Sequence, residues 1–247
     1  MKKKLISLVF ASFASLGVSA APVTFAGSQN QLAATVSFEL VGNQLQVVLS
    51  NTGAADVRTG EQVLTAVFFD LGAAVSLQAI SALSGAATYT GTSFVSAAGS
   101  NVGGEWAYKT VTQYGATAGI SSSSLGSVFG QDDRIDVNSN LDGPLRPDGL
   151  QYGITTATDN RGTGASGVAS SPLTAGSVSF LFDVVGALDL DSISKVTFQY
   201  GIALGEPNFS GKLQDGSGGG TVPEPASLAL AGAALLGLAA TRRRRRG

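Results

Sequence analysis

Thr35-Val36-Ser37-Phe38-Glu39-Leu40, then Val41-Gly42-Asn43, then Gln44-Leu45-Gln46-Val47-Val48-Leu49-Ser50: the reading of this stretch decides the fold. Val36, Phe38 and Leu40 alternate with Thr35, Ser37 and Glu39, the period of two expected of a strand with one face in a core. Leu45, Val47 and Leu49 alternate in the same way with Gln44, Gln46 and Ser50. The glycine and asparagine between the two runs supply turn residues, so the stretch predicts a β-hairpin.

Working outward, Val63 to Leu71 is apolar on both faces, with Val63, Val67 and Phe69 on one and Leu64, Ala66 and Phe68 on the other. Such a run predicts a central strand. Further strands are expected at 75–80, 105–112, 150–155, 177–185 and 193–204. In the last of these, Val196, Phe198, Tyr200 and Ile202 face one way and Lys195, Thr197 and Gln199 the other. Turn residues, many of them glycine, separate the runs. No amphipathic helical stretch of useful length lies between the two ends of the chain. The predicted fold class is all-β, an antiparallel β-sandwich of jelly-roll or immunoglobulin-like type over residues 21–214. Two stretches, 86–100 and 115–127, are rich in Gly, Ala, Ser and Thr and are expected to be loops or weak edge strands. Residues 215–221, with four glycines, have the composition of a flexible linker.

The chain of 247 residues has neither cysteine nor histidine. Disulfides, a Ser-His-Asp or Cys-His arrangement and a zinc site of Cys/His composition are all excluded. Catalysis would have to use carboxylate, lysine or tyrosine chemistry, and Glu39, Glu61, Glu105 and Glu206 are scattered, with no short motif placing two together. An enzyme is not the expected reading; the residual case is a carboxylate-dependent glycoside hydrolase. Lys2 to Lys4 and Arg242 to Arg246 hold much of the basic charge, so the region between Ala21 and Val222 is near −9. That surface repels nucleic acid, which is not an expected partner, and favours solubility or divalent cations.

Two central constellations are candidate sites. Asp136, Asn138, Asn140 and Asp142 place an oxygen at every second position, a pattern that can converge on a structural calcium ion. Leu141 stands where an EF-hand needs glycine, and the same residues also suit a solvated loop held by Asx turns. No other cofactor is expected. Trp106 and Tyr108 project to one face of a predicted strand, where the pair can stack against sugar rings of an extracellular polysaccharide or fill the core.

The two ends read as addresses. Lys2-Lys3-Lys4, the apolar run Leu5 to Leu16 and the small residues Val18-Ser19-Ala20 form a signal peptide, 1–20, with signal peptidase cutting between Ala20 and Ala21. At the other end stand Val222-Pro223-Glu224-Pro225, an uncharged segment 226–241 ahead of the arginines, and Arg242, Arg243, Arg244, Arg245 and Arg246. As a helix, the apolar segment would reach about 24 Å, short of the roughly 30 Å hydrocarbon core. The arginines would hold its far end on the cytoplasmic side. A short span of this kind suits temporary tethering in the inner membrane.

This tail, 222–247, resembles a PEP-CTERM sorting signal, with Pro223, Glu224 and Pro225 matching the motif. The resemblance covers about a tenth of the chain and says how the protein is delivered. It implies a Gram-negative source and exosortase, a membrane-embedded cysteine transpeptidase-like enzyme, as partner. It also implies removal of the helix and arginines near the motif, and a mature protein at the cell surface or in the extracellular matrix. The role expected of the body is structural or adhesive in an exopolysaccharide or biofilm matrix; the alternative is a carbohydrate-binding module.

Overall fold

The computed structural model describes residues 21–72, 75–129, 147 and 149–215. The chain lays down β1 (Val23–Gln29), β2 (Leu32–Val41), β3 (Gln44–Asn51), β4 (Leu64–Asp70), β5 (Ser76–Ser84), β6 (Thr88–Thr90), β7 (Ser93–Ser96), β8 (Ala107–Thr110) and β9 (Ala118–Ser121). It continues with β10 (Ile154–Thr155), β11 (Pro172–Ala175), β12 (Ser177–Val185), β13 (Ser194–Tyr200), β14 (Asn208–Ser210) and β15 (Lys212–Leu213). The only α-helix among the described residues is one turn, Ser166–Ala169. No helix there is long and apolar enough to cross a membrane; the predicted span 226–241 lies outside the described residues.

One sheet has the order β15-β1-β2-β3-β12-β5. It is built on the predicted hairpin: Val36 sits opposite Leu49, Phe38 opposite Val47 and Leu40 opposite Leu45. The two-residue turn works because Gly42, at φ 63°, takes the positive-φ place a tight hairpin demands at its first central residue. The other sheet runs β14-β13-β4-β10-β11-β6-β7, with β9 joining β4 to β8. Pairing is antiparallel except between β10 and β11. The all-β expectation is realised as two facing sheets; the finer choice between jelly-roll and immunoglobulin connectivity is not made by these orders.

The sheets meet through aromatic contacts. Phe38 packs edge-on to Phe69 at 5.1 Å between centroids, Trp106 to Phe180 at 4.9 Å, and Tyr108 against Phe182 at 5.1 Å. Each pair joins the first sheet to the second, and each buried aromatic of this size contributes about 1.5–3 kcal/mol by leaving water. β4 is buried on both faces, as its doubly apolar sequence requires. Its second face, with Ala66 and Phe68, packs against Ala107, Val111, Ala116, Leu125 and Phe129.

That second layer corrects the expectation for 115–127. β9, within that stretch, is a full strand of the second sheet, paired with β4 and buried at every residue. Its small residues are a packing requirement: a Cβ added to Gly119 would stand 3.0 Å from the rings of both Phe68 and Phe129. In 86–100, by contrast, β6 and the exposed β7 are the weak edge the composition predicts.

The expectation for 193–204 is corrected at its end. The strand stops at Tyr200, because Gly201 turns the chain at φ 73°, and Ile202 is left 47% exposed. Thr197 and Gln199, on the other face from Val196 and Phe198, are buried too, beneath the 111–129 segment and the following loop. β8 and β10 are likewise shorter than the predicted runs.

One flank of the sandwich is closed by the chain itself. β14 pairs with β13 of the second sheet, the chain turns at Gly211, and β15 pairs with β1 of the first. Phe209 packs on Phe198 and Tyr200 beneath this strap. At Gly27 an added Cβ would lie 2.7 Å from the Ser210 carbonyl, so only glycine admits the strap this close.

Candidate functional site

The residues singled out by sequence do not converge on one place. Ala21 begins the described body and is exposed; Ala20 lies outside the described residues, as do Asp136, Asn138, Asn140, Asp142, Pro223, Glu224, Pro225 and Arg242 to Arg246. Among the described residues, no group of three or more Asp and Glu is placed to hold a metal ion.

Trp106 and Tyr108 point to one face, but that face is the core. Trp106 is 0% exposed, at the end of the 3-10 turn Gly103–Glu105, with its ring on Phe180. Its indole Nε1 finds no hydrogen-bond partner among the described residues. Tyr108 is half-buried, and desolvation pushes its phenol above the usual value. The pair therefore forms no exposed platform for a sugar ring, and the stacking expectation is corrected to core packing. The area gained by burying the indole between two sheets outweighs its one unpaired N–H.

The scattered carboxylates fare differently. Glu61 and Glu206, far apart in sequence, line one open groove of about 970 Å³ with Arg58, Gln31, Asn30 and Asn208. The groove forms where the β1–β2 turn, the 3-10 turn Gly60–Gln62 and the β13–β14 loop meet. Glu206 is already committed: its Oε2 accepts the backbone N–H groups of Ile202 and Ala203, the latter at 2.7 Å, and so clamps its own loop. Glu61 is exposed at the rim. Glu105 is buried and Glu39 is half-buried in β2, both away from this groove.

Beneath that loop, Gln199 acts as a template. Its Nε2 donates to the carbonyls of Tyr200 at 2.7 Å and Ala203 at 3.1 Å, with longer contacts to Glu206 and Pro207. Its Oε1 accepts the Tyr114 hydroxyl at 2.7 Å. Sequence reading did not find this role, because alternation along β13 does not reveal a second covering layer.

A smaller cup opens between β6, β10 and β11, lined by Val57, Tyr89, Asp159, Arg161 and Leu173. The Arg161 guanidinium lies 3.5 Å from the centre of the Tyr89 ring. Desolvation holds the Asp159 carboxyl above its ordinary value, opposed by the Val57 N–H that it accepts at 2.7 Å. No sequence signal links residues 89 and 161.

The described body thus offers a polar groove, a small cup and a packed interior; the clearest functional signal is the linear tail. The chain matches no curated protein and no solved structure. A family model described as the PEP-CTERM protein-sorting motif does match residues 221–245. The chain carries that sorting motif at its C-terminus, the mark of an exported protein whose signal exosortase recognises.

Proposed function

We propose that this chain is a surface-delivered β-sandwich whose body has a structural or adhesive, non-catalytic role in the extracellular polysaccharide matrix, and that the tail tethers it in the inner membrane only until exosortase acts. The observation that carries this reading is the sorting motif at 221–245, following a β-rich body with a packed hydrophobic core. The strong negative charge of the region between the two address segments favours a solvated, extended-matrix setting over nucleic acid or anionic lipid.

The test is the intact mass of the protein recovered from the source cells and their medium. Loss of residues 1–20 together with the arginine cluster is the expected result, and the same mass reports any lipid or glycan joined to the new C-terminus. A recovered chain that keeps Arg242 to Arg246, with Glu224→Ala changing nothing, defeats the sorting half. Fractionation with the matrix, measured beside it, tests the other half.

A second reading is carbohydrate binding, now supported by the polar groove instead of the aromatic pair. Asn30, Gln31 and Asn208 supply planar amides, and Arg58 and Glu61 supply charged partners for vicinal hydroxyls. Titration of neutral and acidic polysaccharides against the protein and Asn30→Ala/Gln31→Ala decides it. Binding lost in the double variant supports the groove, and no binding by either protein removes it.

A further inference from the structure

Asp159 and Arg161 line one cup and yet do not pair: the Arg161 charge reaches the carboxyl through space, with no hydrogen bond between them. Each is held by something else. Asp159 accepts the Val57 N–H at 2.7 Å. The half-buried Arg161 guanidinium lies on the Tyr89 ring, without a hydrogen-bond or ion-pair partner among the described residues. The loop that carries both is tied down to residues 56–58, since the Asn160 N–H also donates to Asp56 at 3.0 Å and the Ala165 N–H to the Arg58 carbonyl at 2.8 Å. A fixed acceptor and a fixed donor, neither consumed by the other, make the polar half of a binding site.

The other half is apolar. Val57, Val168 and Leu173 line the cup as well, buried with Val63 in a small aliphatic cluster of their own. The Thr155 hydroxyl beside them is already spent on the Thr156 carbonyl at 3.3 Å. The space left open is about 10 Å³, room for one water-sized group. A methyl group is of that size, and against three aliphatic side chains it gains by leaving water, where a water molecule would need polar partners on every side.

We propose that the cup receives the acetamido group of an N-acetylated sugar, with its methyl against Val57, Val168 and Leu173, its carbonyl accepting from Arg161 and its N–H donating to Asp159. One methyl, one acceptor and one donor stand on a single planar unit, terminal on its sugar ring and so able to enter a hole too small for the ring itself. A peptide alanine has the same three parts more widely spread, because its methyl is one bond removed from either amide. Charge sets aside an acidic sugar: the region between the address segments is near −9 and repels an anionic ligand, whereas the acetamido group is neutral. The proposal deepens the carbohydrate reading above and rests on its premise of a sugar ligand, but at a site of its own, since Val57 lines the cup and Arg58 the groove.

Isothermal titration and saturation-transfer NMR of the N-acetylglucosamine trimer against the full chain in detergent micelles provide the test, with cellotriose as the same rings bearing hydroxyl in place of acetamido. The expected result is binding of the acetylated trimer, strongest saturation at its methyl, and cellotriose weaker by about tenfold or more. Arg161→Leu, which removes the donor, and Val168→Ile, which adds one methyl where the ligand's would sit, each weaken the trimer by about tenfold or more. Emission of Trp106, which does not line the cup, shows whether the variants remain folded. Asn30→Ala/Gln31→Ala keeps this binding; if it alone abolishes binding, the groove reading survives and the cup is overturned. No binding of the trimer, equal binding of cellotriose, folded Arg161→Leu and Val168→Ile as tight as the wild type, or tetra-alanine bound as well as the trimer each overturns the proposal, the last in favour of a peptide ligand.

Discussion

Trp106 is the chain's one tryptophan, which makes its burial directly measurable. Its emission is expected to be blue-shifted, resistant to aqueous quenchers, and unmoved by polysaccharide; a red-shifted, quenchable spectrum contradicts the core placement. Trp106→Ala should cost about 3–5 kcal/mol in chemical denaturation. Gln199 is the polar counterpart. Gln199→Leu keeps the volume but leaves the Tyr200 and Ala203 carbonyls without their amide, at about 1–3 kcal/mol, read from the urea midpoint. Asp70 gives a pH dependence. The hydrogen bond from Lys195, whose Nζ lies 2.9 Å away, is the largest influence holding its carboxyl below the ordinary value, aided by Gly72 N–H and the Thr117 hydroxyl. A depressed carboxylate stabilises the fold above its unfolded pKa, about 4, and that contribution is lost as pH falls through the folded value. The melting-temperature gap between the wild type and Asp70→Asn should therefore shrink between about pH 6 and about pH 2.

At the scale of elements, sequence was informative where one face meets water and silent where two faces are covered. The 35–50 hairpin shows a clean period of two because its outer face stays partly wet, and β4 shows a doubly apolar run because neither face does. β9 hid itself: strand residues small enough to lie against Phe68 and Phe129 have the composition of a loop. Gly119→Val tests this. A true loop tolerates the change, whereas overpacking between two phenylalanines should cost about 1–3 kcal/mol in thermal or urea unfolding. The bulge in β13 was equally unreadable. It puts Lys195 at φ 51° and sets its ammonium on Asp70 of β4, a re-aiming of one side chain that local alternation does not encode. Among candidate sites the linear signal was legible because its parts are adjacent. The groove was not, because Glu61 and Glu206 meet only through the packing of three separate loops.

For the whole molecule, the two flanks differ in kind. One is sewn shut by β14 and β15; the other ends on β5 and β7, from a stretch, Leu71 to Gly104, that carries no charged residue. The sewn flank also gathers the two ends of the body, since β15 lies beside β1 and the Gln214 N–H donates to the Thr24 carbonyl at 2.9 Å. The strap thereby fixes the length of the leash. From Asp215, just past the last strand pair, to Pro223 there are eight residue-to-residue steps, which covalent geometry limits to about 28 Å at full extension. In the proposed tethered state, an enzyme that reads Pro223-Glu224-Pro225 would act within that distance of the folded body. Unpicking the two residues of β15 would pay out a further increment of chain without disturbing Phe209 or the aromatic interior, and the reach of the tail is thus set by how firmly one short strand holds.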